Sequence, residues 1–277
     1  MKERERIVYE AKRRKKGFRE LFSDLSANWW LLQQLYLRDL TAVYKQSFLG
    51  VFWVMVNPLM TLTTFFVLNS SGILSAGQMS APYPVFAIIG LSLWQVFSSG
   101  LLATSSSITS AGDMIRKINF PREVLVFASM AQPTITFTVN ILLMIPILLF
   151  YGYAPSPYIL ALPFFALPII SLALGIGLIF SLINAVTHDT SRMLGPLMTF
   201  LLFMTPIMYS NPHQGFIGLA AGINPLYYLI DQPRTLILTG TLTEPIAYTA
   251  SAALSFLTFI VCWKAFHTAS PKIAERV

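Results

Sequence analysis

A chain of 277 residues that is 55% hydrophobic and only 11% charged is too apolar for a soluble domain, where about 25% of residues carry charge. Its net charge of +7 would suggest a nucleic-acid partner if spread over a surface. Eleven of the nineteen Lys and Arg precede residue 46 instead, so no nucleic acid is expected. Cys262 is the single cysteine, which excludes a disulfide framework and a cysteine metal cluster.

Residues 1–27 read as a basic cytoplasmic arm, with Lys12, Arg13, Arg14, Lys15 and Lys16 among four glutamates. It is either solvated or held to anionic lipid, at about 1 kcal/mol per basic residue near the surface. Residues 28–46 then form an amphipathic helix. At 100° per residue Trp29, Leu32, Tyr36, Leu40 and Val43 share one sector, while Gln34, Arg38, Thr41 and Lys45 lie opposite. A helix in the membrane interface fits this pattern, and a helix packed on a partner is the other reading.

Six apolar runs then occupy about 51–73, 84–107, 124–151, 158–186, 194–211 and 246–266, each long enough to cross a bilayer with some tilt. With six crossings, eighteen of the nineteen basic residues fall on one side, leaving only Arg234 on the other. This is the positive-inside pattern, and it puts both termini in the cytoplasm. The expected fold is therefore an all-α integral membrane protein, with a six-span domain over 47–270 and a cytoplasmic tail at 271–277. Span two carries a polar run of Ser98, Ser99, Thr104, Ser105, Ser106, Ser107, Thr109 and Ser110. It reads either as small-residue helix packing or as the wall of a hydrated path.

The outer segment 212–245 is largely apolar, yet broken at Asn224-Pro225 and again at Gln232-Pro233. Neither half reaches the roughly 20 residues of a crossing. Two short helices dipping into the outer leaflet would form a gate, with Tyr227 and Tyr228 near the interface and Asp231 paired to Arg234 three residues on.

Catalytic chemistry is missing. His188, His213 and His267 fall in separate places, and no HExxH spacing or GxxxxGK[ST] phosphate loop occurs. The six acidic residues beyond the N-terminal region, Asp113, Glu123, Asp189, Asp231, Glu244 and Glu275, lie at loops or ends by this topology. None reads as a buried ion site. A transport subunit driven by another chain is the expectation, with no cofactor of its own.

Several motifs resemble type-2 ABC exporter permeases, the membrane half of O-antigen and teichoic-acid exporters. They are Arg38-Asp39-Leu40 with Tyr44-Lys45-Gln46-Ser47-Phe48-Leu49-Gly50, Trp53 and Asn57-Pro58; the run Ile115 to Glu123; His188-Asp189 through Thr205-Pro206-Ile207-Met208-Tyr209; and Asn224-Pro225-Leu226-Tyr227-Tyr228 with Arg234. Their order matches over about residues 28–270. His188 departs from the arginine the family often has there. The resemblance implies a homodimer in the bacterial inner membrane and two copies of a cytoplasmic nucleotide-binding subunit that carry ATP and Mg. It also implies a lipid-linked glycan as cargo, a coupling helix between spans two and three, and gate helices between spans five and six. On that basis the coupling residues are Arg116, Lys117, Pro121, Arg122 and Glu123. The gate residues are Asn224, Pro225, Tyr227, Tyr228, Asp231 and Arg234.

For substrate, Arg38 and Lys45 beside Leu49-Gly50 are placed to receive a polyprenyl pyrophosphate, with Lys45 as a snorkelling anchor the competing role. Aromatic faces at Trp53, Phe200 and Phe203 would stack on sugars, or face lipid. A permease for a drug or another lipid, and a membrane-embedded glycolipid transferase, are the alternative functions.

Overall fold

The computed structural model describes residues 18–45, 50–72, 81–112, 114, 120–153, 157–187, 189–207, 218 and 221–273. Among them the chain is helical, and no strand occurs. In order the helices are α1 (Phe18–Ala27), α2 (Trp29–Lys45), α3 (Gly50–Ser70), α4 (Tyr83–Ser110), α5 (Glu123–Ala128), α6 (Ala131–Phe150), α7 (Leu162–Val186), α8 (Thr190–Met204), α9 (Pro225–Thr239) and α10 (Pro245–Ile273). A 3-10 turn at Pro157–Ala161 leads into α7.

Four stretches are long and apolar enough to cross a membrane: Tyr83–Ser110, Glu123–Phe150, Pro157–Val186 and Pro245–Ser270. The shortest has 26 residues, about 39 Å at 1.5 Å per residue, against a hydrocarbon core of about 30 Å. They coincide with four of the six expected runs. The other two runs begin in α3, of 21 residues, and α8, of 15 residues, and extend beyond their ends.

Helix α4 is the axis of the subunit. Val85, Ala87, Ile88, Ile89 and Leu93 have no exposed surface, and α4 packs most extensively on α7 and next on α6. Helix α7 in turn carries α10 on its other flank. Two glycines set these spacings. A Cβ on Gly177 would overlap the Thr104 hydroxyl and lie 2.6 Å from Thr104 Cβ, and one on Gly175 would lie 2.7 Å from the Cα of Phe259. Close backbone approach at small residues is how helices associate where lipid is as apolar as leucine.

The hydroxyls of α4 fit that packing. Thr104 donates to the carbonyls of Gly100 and Leu101, Ser105 to Leu102 and Ser107 to Thr104. Buried hydroxyls that satisfy themselves within their own helix leave no polar demand on a neighbour. The contact between helices is made by Asn184 of α7, whose Nδ2 donates to the Ser105 carbonyl and to Thr109 Oγ1, each at 3.3 Å.

At the N-terminal end, residues 18–27 of the expected arm form a helix. Its Phe22 meets Trp263 of α10 edge-on at 5.1 Å. Helix α2 docks on α5 through Leu35, which is buried with Val124, Leu125 and Ala128, while Trp29 and Trp30 remain exposed. The docked face thus lies to one side of the sector centred on Trp29 and Tyr36. An intramolecular partner for the interfacial helix was not apparent from its periodicity.

The outer segment differs from expectation in one respect. The break at Asn224-Pro225 is present, but α9 continues through Pro233 to Thr239. A proline costs a helix one backbone hydrogen bond, a loss that surrounding protein can make good in a membrane. Pro233 is buried between Gln232 and Arg234, whose side chains bond to other segments. From Pro225 onward the segment is therefore one 15-residue helix, undivided at Pro233. Residues 208–217, 219 and 220, upstream, lie outside the described residues.

Candidate functional site

The motifs near spans five and six, dispersed in sequence, meet in one place. Helix α8 stops at Met204, and Thr205 turns extended at φ −96° and ψ 125°. Pro206 comes next and has no N–H to continue the ladder. Helix α9 begins with Asn224 as its N-cap, whose Oδ1 accepts from the Leu226 N–H at 3.0 Å, and with Pro225 at the first helical position. The Nδ2 of the same Asn224 donates to Thr205 Oγ1 at 2.9 Å, which pins the start of α9 to the end of α8.

Further along α9 sits Arg234, 1% exposed. Its Nη1 donates to the Ile207 carbonyl at 3.1 Å and its Nη2 to the Pro206 carbonyl at 3.5 Å. Asp231 Oδ1 lies 3.8 Å from Nη2, so the expected i,i+3 pair forms. The guanidinium turns inward, however, and rests 3.9 Å above the ring of Phe86 on α4. Arg234 is thereby withdrawn from the surface. Only Asp231 keeps exposed surface, at 22%. An arginine stays charged, and an isolated charge in an apolar interior is costly, so it goes where carbonyls, a carboxylate and a ring converge.

The middle of α9 is also tied to the segment that follows the helix. Gln232 Nε2 donates to Thr243 Oγ1 at 3.0 Å, and its Oε1 accepts the Glu244 N–H at 2.8 Å. Gly240, at φ +78°, ends the helix in the left-handed conformation that glycine adopts without strain. Tyr227 and Tyr228 stack edge to face at 5.0 Å, and the Tyr228 hydroxyl donates to the Gly222 carbonyl at 3.1 Å.

At the opposite end of α10 lies a second polar cluster. His267 Nδ1 and Glu123 Oε1 are 2.5 Å apart, and Arg122 Nη1 donates to the Ser270 carbonyl at 3.0 Å. Glu123 is 8% exposed at its side chain. It stands at a helix start, in line with the expectation that the acidic residues lie at loops or ends, and its side chain is buried against α10. Phe127, Phe259 and Trp263 lie beside it, 5.3 to 6.0 Å from one another. Of the expected coupling residues, Pro121, Arg122 and Glu123 are described, whereas Arg116 and Lys117 lie outside the described residues.

Among the described residues, Arg38 is not gathered with Phe200 and Phe203 into one cluster within the subunit. Arg38 is spent on its neighbour, with Nε and Nη2 at 2.9 and 2.8 Å from Asp39 Oδ1. The side chains of Lys45 and Trp53, and Leu49 altogether, lie outside the described residues; Gly50 is the first residue of α3. Phe200 and Phe203 sit on α8, 60% and 58% exposed, in a row with Met193 and Leu197. Helix α8 packs on α4 and α7, whereas α2 packs on α5 and α6.

Residues 31–238 match the model of the ABC-2 type transporter family. The chain is 25% identical over 250 residues to the O-antigen export system permease protein RfbA of Myxococcus xanthus, covering 89% of this chain and 95% of that protein. It is 28% identical over 208 residues to the RfbA of Klebsiella pneumoniae, with 74% and 79% covered. With the polysialic acid transport protein KpsM of Escherichia coli the identity is 24% over 236 residues, with 83% and 90% covered. The converging motifs at 205–207, 224–228 and 234 fall inside the family match, and with four apolar helices of membrane-crossing length around them this chain belongs to the ABC-2 type transporter family.

Proposed function

We propose that this chain is the permease subunit of an ATP-driven exporter, carrying a lipid-linked polysaccharide outward across the bacterial cytoplasmic membrane. The observation that supports this most directly is the similarity, along 74 to 89% of the chain, to permeases named for O-antigen and polysialic acid transport. The working unit is a homodimer bound to two nucleotide-binding subunits, which hold ATP and Mg. Each permease subunit crosses six times, with α3 and the apolar run 194–211 that begins in α8 added to the four long apolar stretches, and keeps both termini in the cytoplasm.

In this reading α2 lies in the inner interface, where the exposed Trp29 and Trp30 suit headgroup depth. Arg38, Lys45, Leu49 and Gly50 receive the pyrophosphate head group, and the exposed aromatic row of α8 faces the passage. Helix α9 closes the outer end. At 15 residues it is about 22 Å long, too short to cross, and its buried face seals against α4, α7 and α10.

The test is transport in vesicles that hold this chain with its nucleotide-binding partner. Lipid-linked glycan should reach the far side with ATP, and should stay put without ATP or without this chain. Movement of a drug or phospholipid in the same vesicles, with the glycan immobile, would overturn the proposal.

A further inference from the structure

We infer that Arg234 is the positioning residue of the export step: it locks the end of α8 to α9, so that wall and gate move as one body. The inference rests on reading α9 as the outer gate, and it decides how that gate opens. Three observations carry it. The first is the break after α8, where the carbonyls of Pro206 and Ile207 leave the helical ladder inside apolar protein. The second is that one guanidinium answers both, with Nη1 on Ile207 and Nη2 on Pro206. A planar fork can hold two carbonyls at once; the compact ammonium of lysine cannot hold them in the same geometry.

The third observation is the space made for it. A Cβ on Gly90 of α4 would stand 3.2 Å from Arg234 Nη2, 3.2 Å from the Ile207 carbonyl oxygen and 3.1 Å from Ile207 Cγ2. Glycine at this position opens the seat in which the fork and the extended backbone meet. Asn224 repeats the tie on the other side, from the α9 cap to Thr205. The fit is incomplete, because Arg234 Nε is buried with no hydrogen-bond partner. A site shaped only for stability would avoid a buried charge that is short of partners.

The mechanical consequence comes from desolvation. Sliding α9 away from the end of α8 would strip the guanidinium of two carbonyls while it is still buried. Opening by α9 lifting off its own subunit is therefore disfavoured. The α8 end and α9 must instead travel together, and the exit opens between subunits.

The experiment uses the intact complex with its nucleotide-binding subunit and compares Arg234→Lys, Gly90→Ala and the double variant. Arg234→Lys should assemble and hydrolyse ATP within about twofold of wild type, yet export at least about tenfold less per ATP. Gly90→Ala should show the same uncoupling. The double variant should be no worse than the more impaired single, because both act on one contact. Hydrogen exchange, which needs no cargo, should quicken at least about tenfold in residues 204–207 and 221–230 of Arg234→Lys while α7 stays unchanged. Wild-type exchange in that variant, export per ATP at the wild-type level, or losses that multiply in the double variant would each overturn the lock. If wild-type vesicles move no glycan, the proposed cargo falls, and the exchange result still decides the lock.

Discussion

Replacing Gly175 by alanine probes how closely α7 and α10 must approach. The new Cβ would lie 2.7 Å from Phe259 Cα and 3.0 Å from Phe259 N, whereas carbons in contact rest at about 3.5–4.0 Å. Both obstacles are backbone atoms, so no rotamer change relieves them, and the helices must part by roughly 1 Å at this crossing. Overfilling a packed interior costs about 1–3 kcal/mol, and a backbone obstacle puts Gly175→Ala at the upper end. Thermal unfolding of the purified subunit should then fall by about 5–10 °C, taking about 2–4 °C per kcal/mol for a chain of this size. Gly195→Ala is the control. Nothing lies within 4 Å of its new methyl, and alanine is favoured over glycine in a helix by about 1 kcal/mol, so its transition should hold or rise slightly. A Gly175→Ala subunit as stable as wild type, or a Gly195→Ala subunit equally weakened, would refute the claim that glycine contact sets the helix spacing.

Three further outcomes are expected. Glu123→Ala removes the buried acceptor 2.5 Å from His267 and should cost about 1–3 kcal/mol, with Glu123→Gln milder because it keeps an oxygen there; unfolding midpoints of the three proteins check the order. Arg116→Glu with Lys117→Glu should uncouple ATP turnover from export or release the nucleotide-binding subunit, and co-purification with an ATPase assay reads this; Arg122 is left intact because it already holds the Ser270 carbonyl. Single cysteines at 117 and 152, in a Cys262→Ala background, should label from opposite sides with an impermeant thiol reagent, and labelling from one side would sink the six-crossing topology.

The apolar stretches were legible because long runs without charge admit few other structures, and α4, α6, α7 and α10 fall on the runs read from the sequence. The start of α9 was legible for a local reason: Asn224 followed by Pro225 is a cap followed by the residue best suited to the first helical position. Pro233 misled because its local preference is to end a helix, while the ties made by Gln232 and Arg234 to residues 11 to 28 positions away hold the helix together. The pairing of Glu123 was not legible for a similar reason. Its partner His267 is 144 residues distant, and no periodicity reports such a pairing.

The motifs that are separate in the sequence gather in the fold into two polar clusters at opposite ends of α10. One joins Thr205 through Ile207 to Asn224 and Arg234, with Gln232 fastened to the start of α10. The other joins Arg122 and Glu123 to His267 and Ser270. Between them the contacts of α4, α7 and α10 are mainly close packing at Gly175 and Gly177 and self-satisfied hydroxyls, with Asn184 bonding from α7 to α4. Such contacts resist compression but carry few directional bonds, whereas a buried charge-assisted bond must stay whole or be replaced. In the proposed exporter, a displacement of α5 would reach α10 through the contact of Glu123 with His267. Because α10 is a continuous helix of 29 residues, it can carry that motion as a rod to Gln232 in the middle of α9. The route has a specific weak link: with Gln232→Leu, α9 loses its tie to Thr243 and Glu244 while Arg234 still holds the end of α8. Export per ATP should then fall although both ends of the subunit remain folded, and undiminished export from that variant would mean that α10 does not carry the signal.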